Sequence, residues 1–64
     1  MGRFTENDMR VMGEKINEVY YHESTSRARD MADEVYAEIA MEKDPETREN
    51  LEYRFRSVTG MSKR

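Results

Sequence analysis

The sequence contains no cysteine and no tryptophan, and it has only one leucine and one proline among its 64 residues. Without cysteine, neither a disulfide framework nor a cysteine-ligated zinc site can form. Apolar residues make up 36% of the chain and the mean hydropathy is −1.10, so little material is available for a core in so short a domain. We therefore expect one small domain that gains stability by self-association, as a homodimer, or from a bound partner.

Long apolar runs are missing as well. No stretch approaches the length that spans a membrane, and the first residues lack the apolar segment of a signal peptide. A small secreted domain would more often carry disulfides. These absences predict a cytoplasmic protein that does not contact membranes.

Apolar residues recur at helical spacing in three segments of the chain. Low hydrophobicity is also a signature of disorder, but this periodicity and a net charge of only −3 favour a folded chain. The pattern predicts an all-α fold, a small three-helix bundle. We expect helices at about 6–22, 26–43 and 45–59, followed by a tail at 61–64.

The junction between the first two helices leaves an alternative open. Ser24, Thr25 and Ser26 can all cap a helix, and we favour a break here with Ser26 as the cap. However, the junction has no glycine or proline, and the apolar stripe can be followed across it. The alternative is one long helix over 6–43 that forms a helical hairpin with a short C-terminal helix.

Local signals mark the other helix ends. Thr5 and Asp8 have the spacing of a capping box, and Asp44 before Pro45 is a cap followed by a residue suited to the first helical turn. Gly60 is a natural C-cap, and we expect a mobile tail beyond it.

Gly13 lies beside the apolar stripe of the first helix. Glycine in a helix interior costs about 1 kcal/mol relative to alanine, so we expect it to allow close approach of another helix. The residues predicted to form the core share the apolar faces of the three helices: Met9, Met12, Ile16, Val19, Tyr20, Ala28, Met31, Ala32, Val35, Tyr36, Ile39, Leu51, Phe55 and Val58.

Four carboxylates follow one another at i,i+4 positions in the second helix: Asp30, Glu34, Glu38 and Glu42. Like charges at this spacing destabilise a helix, so this acidic stripe requires a counter-charge from the basic 45–64 segment or from a partner. A line of acids along one helix does not converge as the ligands of a hard cation must, and we predict no metal site. We expect much of the stripe to face solvent.

Four apolar residues point away from the predicted core: Val11, Tyr21, Met41 and Tyr53. Tyrosine and methionine are enriched in protein interfaces. Together with Glu34, Glu38 and Glu42, these residues form the predicted partner-binding set.

A second hypothesis concerns a small anionic ligand such as a nucleotide. Arg27 and Arg29 follow the serine-rich junction, where a helix N-terminus and planar guanidiniums could hold a phosphate. Tyr20 or Tyr21 would then provide a stacking surface. The pI of about 5.1 argues against binding of DNA or RNA.

No residues form a catalytic motif. His22 is the single histidine, and the sequence pairs it with no nucleophile. We therefore predict a non-enzymatic protein–protein interaction module, without a cofactor, that blocks or bridges a macromolecular partner with a basic surface. Small acidic helical chains of this type are common among accessory or inhibitor proteins of phage and mobile elements, which is an association of type.

Overall fold

The chain forms three helices in a computed structural model that describes residues 4–64. They are α1 (Glu6–His22), α2 (Thr25–Ile39) and α3 (Pro45–Thr59), and the described residues include no strand. The predicted three-helix bundle is confirmed, and the alternative of one continuous helix over 6–43 is wrong. α1 packs against both other helices, whereas α2 and α3 contact each other much less.

The caps predicted at three helix ends are confirmed. Thr5 Oγ1 accepts a hydrogen bond from the Asp8 amide (3.2 Å), and Asp8 Oδ2 accepts one from the Thr5 amide (2.8 Å). At α3, Asp44 Oδ2 accepts from the Thr47 amide (3.1 Å) and Pro45 occupies the first turn. Gly60 ends α3 in the left-handed region, with φ 71°, a conformation that glycine adopts without a Cβ penalty.

The start of the second helix lies within one residue of the prediction, but its predicted cap and its predicted end are wrong. α2 is capped by Ser24 rather than Ser26, because the Ser24 hydroxyl accepts a hydrogen bond from the Arg27 amide (3.2 Å). The Ser24 amide donates to Val19 O (2.9 Å) at the end of α1. α2 ends at Ile39, four residues before Lys43. The residues that follow Ile39 are good helix formers and would allow the helix to continue. However, the chain has to turn between the buried Ile39 and the extended Asp44 cap so that α3 can pack on the bundle.

The core lies where the three apolar faces meet. Among residues 4–64, nine hydrophobic residues are buried: Met9, Ile16, Val19, Ala28, Ala32, Tyr36, Ile39, Leu51 and Phe55. The predicted core residues Met12, Met31 and Val35 pack at its edge, and Val58 is partly buried. Tyr20 was predicted to be in the core but is 43% exposed, because it lies in the last turn of α1 against Tyr21, at the rim of the bundle.

Gly13 lies at the contact between α1 and α3, as predicted. A Cβ built on Gly13 would lie 2.5 Å from Val58 Cγ1 and 3.0 Å from Val58 Cβ. The side chain of Asn17, one turn further along α1, donates to Val58 O (3.0 Å). The absence of a side chain at position 13 therefore sets how closely the two helices pack.

The segment after Gly60 does not extend into solvent as a mobile tail. Met61 is partly buried against the core, its amide donates to Thr59 Oγ1 (3.1 Å), and its carbonyl accepts from Tyr36 Oη (2.6 Å). Phe4 also packs on the core from outside the helices. Neither Phe4 nor Met61 was among the predicted core residues, because each follows or precedes a helix and belongs to no helical stripe.

The Asp44 cap makes part of the stability of the fold dependent on pH. Hydrogen bonds from the Thr47 hydroxyl and then from its amide lower the pKa of Asp44 below its ordinary value of 3.8. A lowered pKa means that this stabilisation is present above pH 3.8 and is lost as the pH falls through the folded-state value. We expect Asp44→Ala to lower the thermal midpoint by several degrees at neutral pH.

Asp44→Asn provides the matched control, because asparagine caps as well as aspartate but does not ionise. At pH 7 this variant should retain most of the stability of the unsubstituted chain. Because asparagine does not ionise, the loss of stability that protonation of Asp44 causes at low pH should be absent. Thermal melts by circular dichroism between pH 7 and pH 2 measure both effects. If Asp44→Ala melts like the unsubstituted chain, α3 does not depend on this cap.

Candidate protein-interaction surface

The outer face of α2 carries the first part of the acidic stripe. Asp30, Glu34 and Glu38 are all exposed, and none of them forms an ion pair with any residue between 4 and 64. The expectation that Glu34 and Glu38 face solvent is therefore confirmed. We call these three residues the acidic face of α2.

Glu42 does not belong to this face, which corrects the predicted stripe of four. It lies beyond the end of α2, in the loop before α3. Its carboxylate accepts from the Asp44 amide (3.4 Å) and its carbonyl accepts from Arg48 Nη1 (2.9 Å). Glu42 therefore helps to order the loop.

Five of the other acids have basic partners within the chain. The pairs are Arg10–Glu14 (3.4 Å), Arg27–Glu23 (3.8 Å), Arg29–Asp33 (2.7 Å), Arg54–Glu6 (3.3 Å), Lys63–Glu52 (3.0 Å) and Arg64–Asp33 (3.6 Å). The arginines of α3 thus reach α1 and the loop rather than the acidic face of α2. The guanidinium of Arg56 lies over the ring of Tyr53, 5.8 Å from its centroid.

The four apolar residues predicted to be outside the core are all exposed. Val11 is on α1, Tyr21 is near the end of α1, Met41 follows α2, and Tyr53 is on the outer side of α3. Tyr21 packs edge-to-face on Tyr20, with ring centroids 5.2 Å apart. These residues are thus distributed over α1, the loop after α2, and α3. Met41 alone adjoins the acidic face, since its amide donates to Glu38 O (3.1 Å).

The residues of the anionic-ligand hypothesis lie near the junction of α1 and α2. Arg27 is exposed and pairs with Glu23, whereas Arg29 is partly buried and pairs with Asp33. The hydrogen-bond geometry leaves Nε and Nη2 of Arg29 without a partner, although Nη2 is 2.7 Å from the Asp33 carboxylate. Both guanidiniums thus already have carboxylates beside them.

His22 ends α1 and is exposed. Within the part of the chain that the structure describes, no three acidic or histidine side chains are grouped so that they could hold a metal ion. None of the helices between residues 4 and 64 is long and apolar enough to cross a membrane.

One set of polar residues with a definite arrangement was not identified from the sequence. Asp33, Tyr36 and Glu52 line the groove between α2 and α3 and contact the 61–64 segment. Burial raises the pKa of Tyr36 above its ordinary value of 10.0, against the opposing effect of Arg29 and Arg56, so its hydroxyl is a donor at physiological pH. The signal that could have indicated this groove is Met61 directly after the Gly60 cap, where an apolar contact commonly accompanies such a C-cap.

No protein family, no curated protein and no solved structure matches this chain. The function proposed below therefore rests on the surfaces themselves.

Proposed function

We propose that this chain is a non-enzymatic protein-binding module that docks through the acidic face of α2 onto a basic surface of another protein. The observation that carries the proposal is that Asp30, Glu34 and Glu38 are exposed and unpaired among residues 4–64. Five other acids pair with arginine or lysine: Glu6, Glu14, Glu23, Asp33 and Glu52. A partner's cations would supply a counter-charge to this face.

The charge arrangement on α2 is unfavourable for the helix itself, which supports the proposal. Two like-charge pairs at i,i+4 spacing, Asp30 with Glu34 and Glu34 with Glu38, each destabilise a helix by about 0.2–0.5 kcal/mol. In addition, α2 has no acidic residue in its first turn and no basic residue in its last turn, the reverse of what the helix dipole favours. This arrangement is better explained by recognition of a basic partner than by folding.

The surface next to this face offers apolar contacts. Ala37 is exposed between Glu34 and Glu38, and Met41 continues the face beyond the end of α2. A mixed acidic and apolar surface suits a partner patch in which arginine or lysine surrounds an apolar residue. Such a contact could block a basic functional surface of the partner, as the accessory or inhibitor proteins of phage and mobile elements do.

The remaining exposed apolar residues favour a bridging role over simple blocking. Val11 and Tyr53 lie on the outer sides of α1 and α3, and Tyr21 lies at the end of α1. They lie on other elements than the acidic face. They would serve a second contact, either with another protein or with a second copy of this chain.

Replacing Glu34 and Glu38 by glutamine tests the proposal. The double variant removes both like-charge pairs, so we expect the free protein to gain about 0.5–1 kcal/mol of stability in urea denaturation. Association with a basic partner should slow and become less dependent on salt, because charge complementarity acts mainly on the association rate. Affinity capture with the tagged protein from its native cell identifies the partner, and stopped-flow mixing of the purified pair measures the rate.

The matched control is Glu14→Gln with Glu18→Gln, which removes the same charge at the same spacing from α1. This control should capture the same partner as the unsubstituted chain. If the α1 and α2 variants lose the partner equally, only net charge matters and the acidic face of α2 is not the docking site. If the α2 variant loses stability and binds fully, the proposed function is wrong.

A further inference from the structure

The 61–64 segment lies in the groove between α2 and α3 as a peptide ligand would. Gly60 turns the chain back, and the partly buried Met61 anchors the segment on the core. Tyr36 Oη then donates to the carbonyl of Met61 (2.6 Å). An apolar anchor and a side-chain hydrogen bond to the backbone are the contacts by which a groove recognises an extended peptide.

Charge complementarity extends along the same segment. Lys63 Nζ pairs with Glu52 Oε2 on α3 (3.0 Å), and Arg64 Nε pairs with Asp33 Oδ2 on α2 (3.6 Å). Each wall of the groove thus contributes one carboxylate. Glu49 also lines the groove and forms no ion pair within the described part of the chain, so a further acid is available to a basic ligand.

The segment does not fill the space around it. On the α3 side a depression of about 360 Å³ remains between Tyr36, Tyr53 and Lys63. On the α2 side a second depression of about 350 Å³ extends along Ala37 and Ala40. A segment with larger side chains than serine and lysine could occupy this groove more completely.

The contacts that hold the segment are easily exchanged. Both ion pairs are largely exposed on their basic side, and exposed pairs contribute little to stability. The segment has no helix of its own beyond Thr59. A ligand of the same chemistry on another molecule can therefore displace it.

We propose that the groove between α2 and α3 is a second docking site, for an extended basic segment of a partner protein, and that the 61–64 segment is its internal competitor. The ligand pattern is an apolar residue, a spacer and two basic residues, as in Met61, Ser62, Lys63 and Arg64. Its apolar residue takes the place of Met61, its backbone carbonyl accepts from Tyr36, and its bases pair with Glu52 and Asp33. This site adjoins the acidic face of α2 at Ala37, but it uses different carboxylates and does not depend on the function proposed for that face.

Reversing the charges of the internal competitor tests this proposal. In Lys63→Glu with Arg64→Glu, the segment is repelled by Glu52 and Asp33 and leaves the groove open. The probe is a fluorescent peptide with the sequence of residues 59–64, and fluorescence anisotropy measures its binding. We expect the variant to bind the peptide at least about tenfold more tightly than the unsubstituted chain. This factor follows if the 61–64 segment occupies the groove in about nine-tenths of the unsubstituted molecules, so that only about one-tenth can bind the peptide.

Three controls make the result specific to the groove. Adding Glu52→Gln and Asp33→Asn to the open variant should abolish peptide binding, whereas adding Glu34→Gln and Glu38→Gln should leave it unchanged. A peptide with glutamate in place of both bases should not bind. Circular dichroism checks that the open variant is folded, and the milder pair Lys63→Gln and Arg64→Gln replaces it if it is not.

Two results would overturn the proposal. One is that the folded open variant binds the peptide no better than the unsubstituted chain. The other is that sedimentation shows dimers of the unsubstituted chain that disappear in the open variant, because the groove would then hold the 61–64 segment of a second copy rather than a separate partner.

Discussion

Phe55→Ala is expected to unfold most of the protein at room temperature. The side chain of Phe55 is 0% exposed and is the largest of the fully buried ones. It packs edge-to-face on Tyr36, with ring centroids 5.0 Å apart, and so joins α3 to α2 where the two helices otherwise make few contacts. Truncating a buried phenylalanine costs about 3–5 kcal/mol, which is about the whole stability that a core of this size provides.

Far-UV circular dichroism and urea denaturation measure this loss. Tyr53→Ala is the matched control, since Tyr53 lies two residues earlier on the same helix and is 64% exposed. Its removal should change stability by no more than about 0.5 kcal/mol. Phe55→Leu should give an intermediate loss, because it keeps most of the volume. A Phe55→Ala variant with an unchanged urea midpoint would mean that α3 does not pack by this face.

Gly13→Ala is expected to destabilise the fold although alanine is the better helix former. The added Cβ would lie 2.5 Å from Val58 Cγ1 and 3.3 Å from Thr59 Cγ2. Valine in a helix has one strongly preferred rotamer, so Val58 cannot turn aside and the helices must separate. Overpacking of this kind costs about 1–3 kcal/mol, against a gain of up to about 1 kcal/mol from helix propensity. We expect a net loss of about 1 kcal/mol.

A double-mutant cycle with Val58→Ala identifies the cause. Removing the Val58 methyls eliminates the closest contact and leaves the Cβ contact at 3.0 Å, so Gly13→Ala should cost less in that background. The difference between the two backgrounds should be at least about 0.5 kcal/mol, typical of residues in direct contact. If Gly13→Ala stabilises the unsubstituted chain, propensity outweighs the clash and the α1–α3 distance is not set by this glycine.

The helix ends that were predicted correctly depend on interactions between near neighbours in the sequence. Thr5 with Asp8, Asp44 with Thr47, and Gly60 as the C-cap each act over three or four residues. The helical period likewise separates inward from outward positions without knowledge of the partner helix. For this reason the sequence sufficed to place Tyr53 and Val11 outside the core and Leu51 and Phe55 within it.

Features that depend on how the helices sit against one another were decided only by the tertiary structure. α2 ends at Ile39 because the chain must turn there to pack α3, and not because of any local stop signal. Tyr20 lies on the predicted stripe but is exposed in the last turn of α1. The pairing of charges also depends on the tertiary structure. Arg54 pairs with Glu6, 48 residues earlier, rather than with the acidic face of α2.

For the acidic face of α2 and the groove between α2 and α3, the sequence likewise determines one part and the tertiary structure the other. The spacing of Asp30, Glu34 and Glu38 alone placed three carboxylates on one side of a helix. That no cation between residues 4 and 64 pairs with them is a property of the packed bundle. The groove needs α2, α3 and the turn at Gly60 together, because its Asp33, Glu52 and Tyr36 come close to the 61–64 segment only in the folded chain. Periodicity and capping are local physics that a sequence expresses directly, whereas long-range proximity requires the assembled fold.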